Sequence, residues 1–286
     1  MNNSYQLNFI KAFLITFIFF ILQIIIGSIY NFLLISFDYF NELNLNFFFN
    51  YLLNQGFIIL LGNLSTILII IFIYNKNKNN LKLNINYNNL NPSFLLFIIP
   101  LAISSQIIGS EIENLISMLF KRYLSFYQSI ITLAKLPGIS GLLLAIILIA
   151  IIPSIIEELF FRGIIQQGLI NKYSPKIGII LTSLLFAIIH INPHVLLTIF
   201  LFSILLGFIY YLYKNLIYNI LIHFFLNLSG VLLLRYDKIQ LTGLSVDLSK
   251  TSHVNIYLII MSLIIIGLFV YLYLIKNKKQ DIKENI

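Results

Sequence analysis

The chain contains no cysteine. This absence excludes disulfides, a thiolate nucleophile and any metal site built on cysteine, so the nucleophiles left for catalysis are an activated water, serine or threonine. Charge is also scarce: 10% of the 286 residues are charged, against about 25% in a soluble domain. Hydrophobic residues make up 59% of the chain, and the mean hydropathy is +0.95. The chain is therefore expected to be an integral membrane protein.

The apolar runs predict an all-α, polytopic membrane protein with about eight transmembrane helices in a single membrane domain, residues 1–286. The first run is too long for a signal peptide and has no small-residue cleavage site, so it is interpreted as a retained anchor. The predicted helices cover residues 12–35, 53–74, 93–120, 141–170, 176–191, 195–213, 216–234 and 254–275. The charged segment 276–286 is expected to be a disordered cytoplasmic tail.

The net charge of +8 is spread over loops and the C-terminal segment. This distribution is typical of membrane topology rather than of nucleic-acid binding, so no nucleic-acid partner is expected. Eight helices put both termini on one side of the membrane, and the loops of that side carry more lysine and arginine than those of the other. The positive-inside rule then predicts a multi-pass cell-membrane protein with both termini in the cytoplasm.

One apolar run, from Gly141 to Ile170, contains the cluster Glu157, Glu158 and Arg162. Ionisable groups inside a membrane helix are costly and by default mark function. Glu158 and Arg162 are four residues apart, which places them on one helix face in the order that favours an ion pair. Glu157 lies about 140° around the helix from Arg162. It is therefore predicted to be the carboxylate left free for chemistry.

Pro153 precedes this acidic pair by one helical turn. Proline has no backbone N–H, so the carbonyl of Ile149 loses its helical partner. A kink beside the acidic pair is therefore predicted.

Three further polar side chains lie on later apolar runs: His190 on the fifth predicted helix, and His223 and Asn227 on the seventh. Counting 1.5 Å per residue from the cytoplasmic helix ends puts Glu157 and these three near one membrane level, at roughly 14–22 Å. Taken singly, each could be an interhelical hydrogen-bond partner. Together they supply a base, an acid or ligand, and donors for an oxyanion, which suits hydrolysis of a peptide bond within the membrane.

Other ionisable residues have simpler interpretations. Glu111 and Glu113 could form a second site, but the preferred interpretation is that they reach the interface or pair with nearby cations. His194 follows a proline at a helix boundary and is interpreted as interfacial. His253, at the start of the last helix, is given no role.

Three motifs over residues 141–229, on predicted helices 4–7, resemble those of the CPBP family. This family comprises type II CAAX prenyl proteases and bacteriocin-processing or self-immunity proteins, and is also called the Abi family. The matching residues are Glu157, Glu158 and Arg162 (EExxxR), Phe186 and His190 (FxxxH), and His223 and Asn227 (HxxxN). Three departures affect helix packing and substrate gating rather than chemistry: Ser203 where glycine is frequent, Asn219 where proline is common, and a segment 210–215 about two residues shorter than the usual family turn.

The resemblance implies an eight-helix intramembrane endopeptidase in which Glu157 and His190 activate a water and His223 and Asn227 stabilise the oxyanion. Glu158 and Arg162 complete the first motif. Both a glutamate-based mechanism and a metal-dependent one remain open, since Glu157, His190 and His223 could supply three ligands of a zinc or another divalent ion.

The expected partners are the lipid bilayer and a peptide or membrane-protein substrate. One alternative is a non-proteolytic bacteriocin-immunity or partner-binding protein with the same fold. Another is a small transporter that uses the buried charges as a proton relay. Transporters commonly contain internal repeats, and the two halves of this sequence have no matching segment.

Overall fold

The computed structural model of the protein describes residues 4–38, 57–88, 90–120, 128–236, 243–244 and 252–284. Within these ranges the regular structure is entirely helical, which confirms the predicted all-α class. Six helices are long and apolar enough to cross a membrane, and two further apolar helices are shorter. Together they confirm a multi-pass membrane protein.

Nine helices are numbered here in chain order over the described residues. They are α1 (Phe9–Asp38), α2 (Phe57–Asn77), α3 (Pro92–Leu119), α4 (Gln128–Ala134), α5 (Gly138–Lys172), α6 (Pro175–Ile188), α7 (Leu196–Tyr213), α8 (Leu216–Arg235) and α9 (Ile256–Glu284). Eight of them correspond to predicted helices, and the seven-residue α4 was not predicted.

Two helix ends differ from the prediction. Helix α6 ends at Ile188, so His190 lies in the turn that follows and not inside a helix. Helix α9 continues to Glu284, so most of the segment 276–286, expected to be a disordered tail, is helical instead. Charge and hydropathy mark where a helix leaves an apolar layer, but they do not mark where its hydrogen bonding stops.

Helix α5 is interrupted by two turns of π-helix, Ile146–Ile151 and Phe161–Gln166. The α-helical stretch between them carries both glutamates, and its first turn contains Pro153. The wider turn before Pro153 accommodates the missing N–H of that residue without ending the helix. The acidic pair is therefore flanked by π turns, which are frequent at functional sites, while the kink at Pro153 stays a prediction.

Helix α5 lies between two hydrophobic clusters. One cluster joins it to α1, α2 and α6, and the other joins α3, α7, α8 and α9. On its first face Phe160 stacks on Phe19 of α1 with ring centroids 4.4 Å apart, and Phe161 meets Phe186 of α6 edge-on. Such aromatic pairs contribute about 0.5–1.5 kcal/mol each beyond the area they bury. The opposite face of α5 is thereby turned towards α7 and α8.

The segment before α1 is packed against the end of α5. The N–H of Leu7 donates to the carbonyl of Gly168 over 2.9 Å, and Asn171 donates its side-chain amide to the carbonyl of Tyr5. A Cβ at position 168 would lie 2.6 Å from the Leu7 side chain, so only glycine allows this approach. The N-terminal residues therefore fix the end of the helix that carries the acidic pair.

Candidate active site

The predicted ion pair between Glu158 and Arg162 is confirmed. Arg162 Nη1 donates to Glu158 Oε1 over 2.7 Å, and both side chains are fully buried. The Nη2 group of the same guanidinium donates to the carbonyl and to Oγ of Ser203 on α7. Breaking a buried pair by removing one partner costs about 3–5 kcal/mol, because the other charge is left without compensation. Through the bonds from Arg162 to Ser203, the ion pair therefore connects α5 to α7.

His223 of α8 lies between the two carboxylates. Its Nδ1 is 2.9 Å from Glu158 Oε1, and its Nε2 is 3.9 Å from Glu157 Oε2. Glu158 Oε1 already accepts a hydrogen bond from Arg162 and acts as an acceptor towards His223 as well. The hydrogen between His223 Nδ1 and Glu158 is therefore assigned to His223 Nδ1. The ring is therefore oriented by Glu158 so that Nε2 faces Glu157.

Glu157 and Glu158 are neighbours in sequence and differ in environment. The side chain of Glu158 is fully buried and ion-paired, whereas 21% of the Glu157 side chain is exposed. Glu157 has no bond to Arg162 among the contacts of the described residues. The carboxylate that the helical geometry leaves without arginine is thus the partly exposed one of the two.

The imidazole rings of His190 and His223 both lie near the ring of Phe186. Its ring centroid lies 4.9 Å from that of His190 and 6.1 Å from that of His223, and the Arg162 guanidinium carbon lies 4.8 Å from the ring centroid. The carbonyl of Phe186 also faces His190 Nδ1 over 2.8 Å. A carbonyl only accepts, so Nδ1 carries the proton and Nε2 keeps its lone pair. His190 is therefore oriented as a base or ligand through Nε2.

The turn after α6 positions His190 at a conformational cost. Ile191 adopts a φ of +54°, in the left-handed region that β-branched residues avoid. The N–H of Asn192 donates to the carbonyl of His190, which closes the turn. Strained backbone of this kind often occurs at functional sites.

Asn227 contacts the carbonyl that Pro153 leaves without a helical partner. Its side-chain nitrogen donates to the carbonyl of Ile149 over 3.2 Å. This contact links α8 to α5 about two turns before the acidic pair. Only one of the two amide hydrogens is needed for it, so the other is available to a substrate.

His190 and Asn227 line a cavity of about 320 Å³ between α3, α5, α7 and α8. Gln106 and Glu113 of α3 form part of the opposite wall. The same cavity is bounded by Phe202, whose ring meets that of His223 edge-on with centroids 5.7 Å apart. This space is called the reaction cavity below.

The structure thus brings the six predicted site residues together in two groups. Glu157, Glu158, Arg162 and His223 form one connected set, and His190 and Asn227 line the reaction cavity beside it. Phe186 and Phe202 form the contact between the two groups.

The metal triad suggested by the sequence, Glu157, His190 and His223, is not assembled. Among the described residues no three His, Asp or Glu side chains are placed to hold a metal ion. The physical reason is that Glu157 and His223 face each other at 3.9 Å, while His190 lies in the wall of the reaction cavity, which neither of them lines. These residues do not fit a three-ligand site in this arrangement.

The other acidic and histidine residues separate into distinct positions. Glu111 accepts from the N–H of Val254 and faces His253 Nδ1 over 2.7 Å, so it holds the start of α9, and His253 is its partner. Glu113 lines the reaction cavity instead. His194 was expected to be interfacial, but it is buried, with Nε2 3.1 Å from the carbonyl of Phe120.

Sequence reasoning missed two features of the site. Ser203 contributes an acceptor to Arg162, although its only sequence signal was that it replaces a frequent glycine. Gly230 lines the reaction cavity, and a Cβ built there would meet nothing within 4 Å. No local signal distinguishes this glycine from others in a helix.

Comparison with known proteins gives one family match. Residues 139–229 match the family model described as Type II CAAX prenyl endopeptidase Rce1-like, which confirms the resemblance drawn from the three motifs. The match covers α5 to α8 up to Ser229, the segment that supplies all six predicted site residues. No curated protein and no solved structure matches the chain.

Proposed function

We propose, from the match of residues 139–229 to the family model described as Type II CAAX prenyl endopeptidase Rce1-like, that this multi-pass membrane protein is an intramembrane endopeptidase. Its substrates would be peptides or membrane-protein segments that enter from the bilayer. The observation that carries the proposal is the contrast between Glu158, which is occupied by Arg162, and Glu157, which faces His223 at 3.9 Å.

Glu157 is assigned as the general base. It is the partly exposed member of the acidic pair, and a general base must lie within hydrogen-bond reach of the water whose proton it removes. His190 would hold the same water through Nε2, because its Nδ1 is directed at the Phe186 carbonyl. Removal of a proton by a positioned base contributes about 10²–10⁴ in rate.

Glu158 and Arg162 are assigned as positioning residues. The arginine holds Glu158 in place, and Glu158 in turn orients His223. An imidazolium at position 223 donates from both nitrogens, with Nδ1 bonded to Glu158 and Nε2 available to an oxyanion. When negative charge forms on the substrate carbonyl oxygen, a hydrogen-bond donor would thus already be in place.

Asn227 is assigned as a second oxyanion donor. Its contact with Ile149 fixes the amide group, and the side chain lines the reaction cavity with His190. No step is assigned to a metal ion, because the suggested ligands do not converge. We also propose that both termini lie in the cytoplasm, as the lysine and arginine distribution predicts.

The test is cleavage of membrane-tethered reporter peptides by the purified protein in liposomes. Glu157→Gln and His190→Ala should each lower the rate by about 10²–10⁴, as expected for loss of the base or its partner. His253→Ala is the matched control, because this histidine contacts Glu111 at the start of α9. Wild-type rates in Glu157→Gln would refute the assignment of the base.

Two further arms separate the alternatives. A chelator should leave cleavage unchanged, and activity that is lost with chelator and restored by zinc would refute the metal-free mechanism while keeping the endopeptidase. A wild-type protein that binds the peptides without cutting any of them would favour a non-proteolytic, partner-binding protein.

A further inference from the structure

A second, apolar groove with a volume of about 650 Å³ runs along α6 and α7, with Val270 of α9 on its edge. Ile180, Leu205 and Phe208 are among the side chains that form its walls. None of the described residues that line it is an aspartate or a glutamate. A groove of this kind on a membrane protein is suited to a hydrocarbon chain.

Positive charge is concentrated at one end of the groove. Lys176 and Tyr211 line it where α6 begins and α7 ends. The ammonium group of Lys214 lies 4.3 Å from the centroid of the Tyr211 ring, held there by a left-handed turn with φ +49°. Partial burial lowers the pKa of Lys214 below its usual range, so a nearby anion would offset its lost hydration.

The groove and the reaction cavity share no lining residue. Leu205 and Phe208 of α7 line the groove, whereas Thr198 and Phe202 line the cavity. A lipid bound in the groove therefore lies outside the reaction cavity that His190 lines. The groove also lies at the helix ends that the lysine distribution assigns to the cytoplasmic, anionic side of the membrane.

We propose that this groove binds an anionic phospholipid, with the phosphate between Lys176 and Lys214 and one acyl chain along α7. Basic pockets between transmembrane helices on the cytoplasmic side bind acidic head groups. The lysines supply the charge, Tyr211 supplies an amphipathic side chain at the level of the head groups, and the apolar walls cover the chain. The site is independent of the proposed protease activity.

The test measures lipid binding to the full-length protein by native mass spectrometry, with phosphatidylglycerol and phosphatidylcholine of identical acyl chains. The double variant Lys176→Gln, Lys214→Asn removes both charges, and asparagine tolerates the positive φ at position 214. We expect phosphatidylglycerol to bind this variant about 25-fold more weakly, or about fivefold per lysine. Phosphatidylcholine binding should not change.

The control is Lys76→Gln, Lys78→Gln, which removes two exposed lysines elsewhere. An equal loss of phosphatidylglycerol in the control, or no preference for it in the wild type, would overturn the proposal. Leu201→Trp, which fills the groove, should weaken the binding of both lipids. Unchanged binding in that variant would show that the acyl chain lies elsewhere. Wild-type helical content and an unchanged unfolding midpoint in detergent would confirm that each of the three variants is folded.

Discussion

Gly230 offers a way to close the reaction cavity without damaging the fold. It lies on α8 three residues after Asn227, and a Cβ there would project into open space. Leucine at this position would occupy part of a cavity of about 320 Å³, on the wall that carries Asn227. Gly230→Leu is therefore predicted to stop cleavage and to stabilise the protein at the same time.

The two effects can be estimated separately. Glycine is less favourable than alanine inside a helix by about 0.8–1.0 kcal/mol, and leucine ranks just below alanine. Full burial of a leucine side chain contributes about 1.5–3 kcal/mol, and the open side of the cavity reduces this. We therefore expect the free energy of unfolding to rise by about 1–3 kcal/mol. Cleavage should fall by at least about 100-fold, the effect of losing one oxyanion donor.

The measurements are thermal or denaturant unfolding in detergent and cleavage of the reporter peptides in liposomes. Gly267→Leu is the matched control, because Gly267 lies in helix α9, is exposed and also has nothing within 4 Å of a built Cβ. Gly267→Leu should show the same gain in helix stability and keep full cleavage activity. Wild-type cleavage by Gly230→Leu would refute the assignment of this cavity to the substrate. If Gly230→Leu lost stability as well as activity, the claim that a side chain has open space at this position would be refuted.

Two further substitutions test the supports of the site. Ser203→Ala removes one acceptor from Arg162 and should cost about 1.5–3 kcal/mol of unfolding free energy, the range for hydrogen bonds to charged groups; an unchanged unfolding midpoint would show that the Ser203 carbonyl suffices. Pro153→Ala restores a backbone N–H that competes with the Asn227 amide for the carbonyl of Ile149. Cleavage should therefore fall, while the stability of the helix is kept or raised. Equal cleavage rates for the alanine variant and the wild type would show that this contact does not position Asn227.

The parts of the site predicted from the sequence are those set by local geometry. Spacing of four residues predicted the Glu158–Arg162 pair, and the angle around the helix predicted that Glu157 would be left without arginine. The apolar runs predicted the helices of the core, including the two-residue turn at 214–215 between α7 and α8. Each of these follows from periodicity within one helix.

The parts that were not predicted depend on contacts between distant segments. The bond from Asn227 to Ile149 joins residues of α8 and α5, although the loss of the helical partner at Ile149 was itself predictable from Pro153. The two π turns of α5 leave no mark in hydropathy, because one extra residue per turn changes no residue type. His253 meets Glu111 across 142 positions of sequence, beyond any local pattern.

The arrangement of charges explains why an acidic pair, and not a single glutamate, occurs on α5. Glu157, Glu158 and Arg162 have formal charges that sum to −1, and His223 contacts both carboxylates. A single glutamate paired with Arg162 would be neutral but would have no free carboxylate, and one without Arg162 would leave nothing to orient His223. Two adjacent glutamates divide these tasks, because successive positions on a helix point about 100° apart.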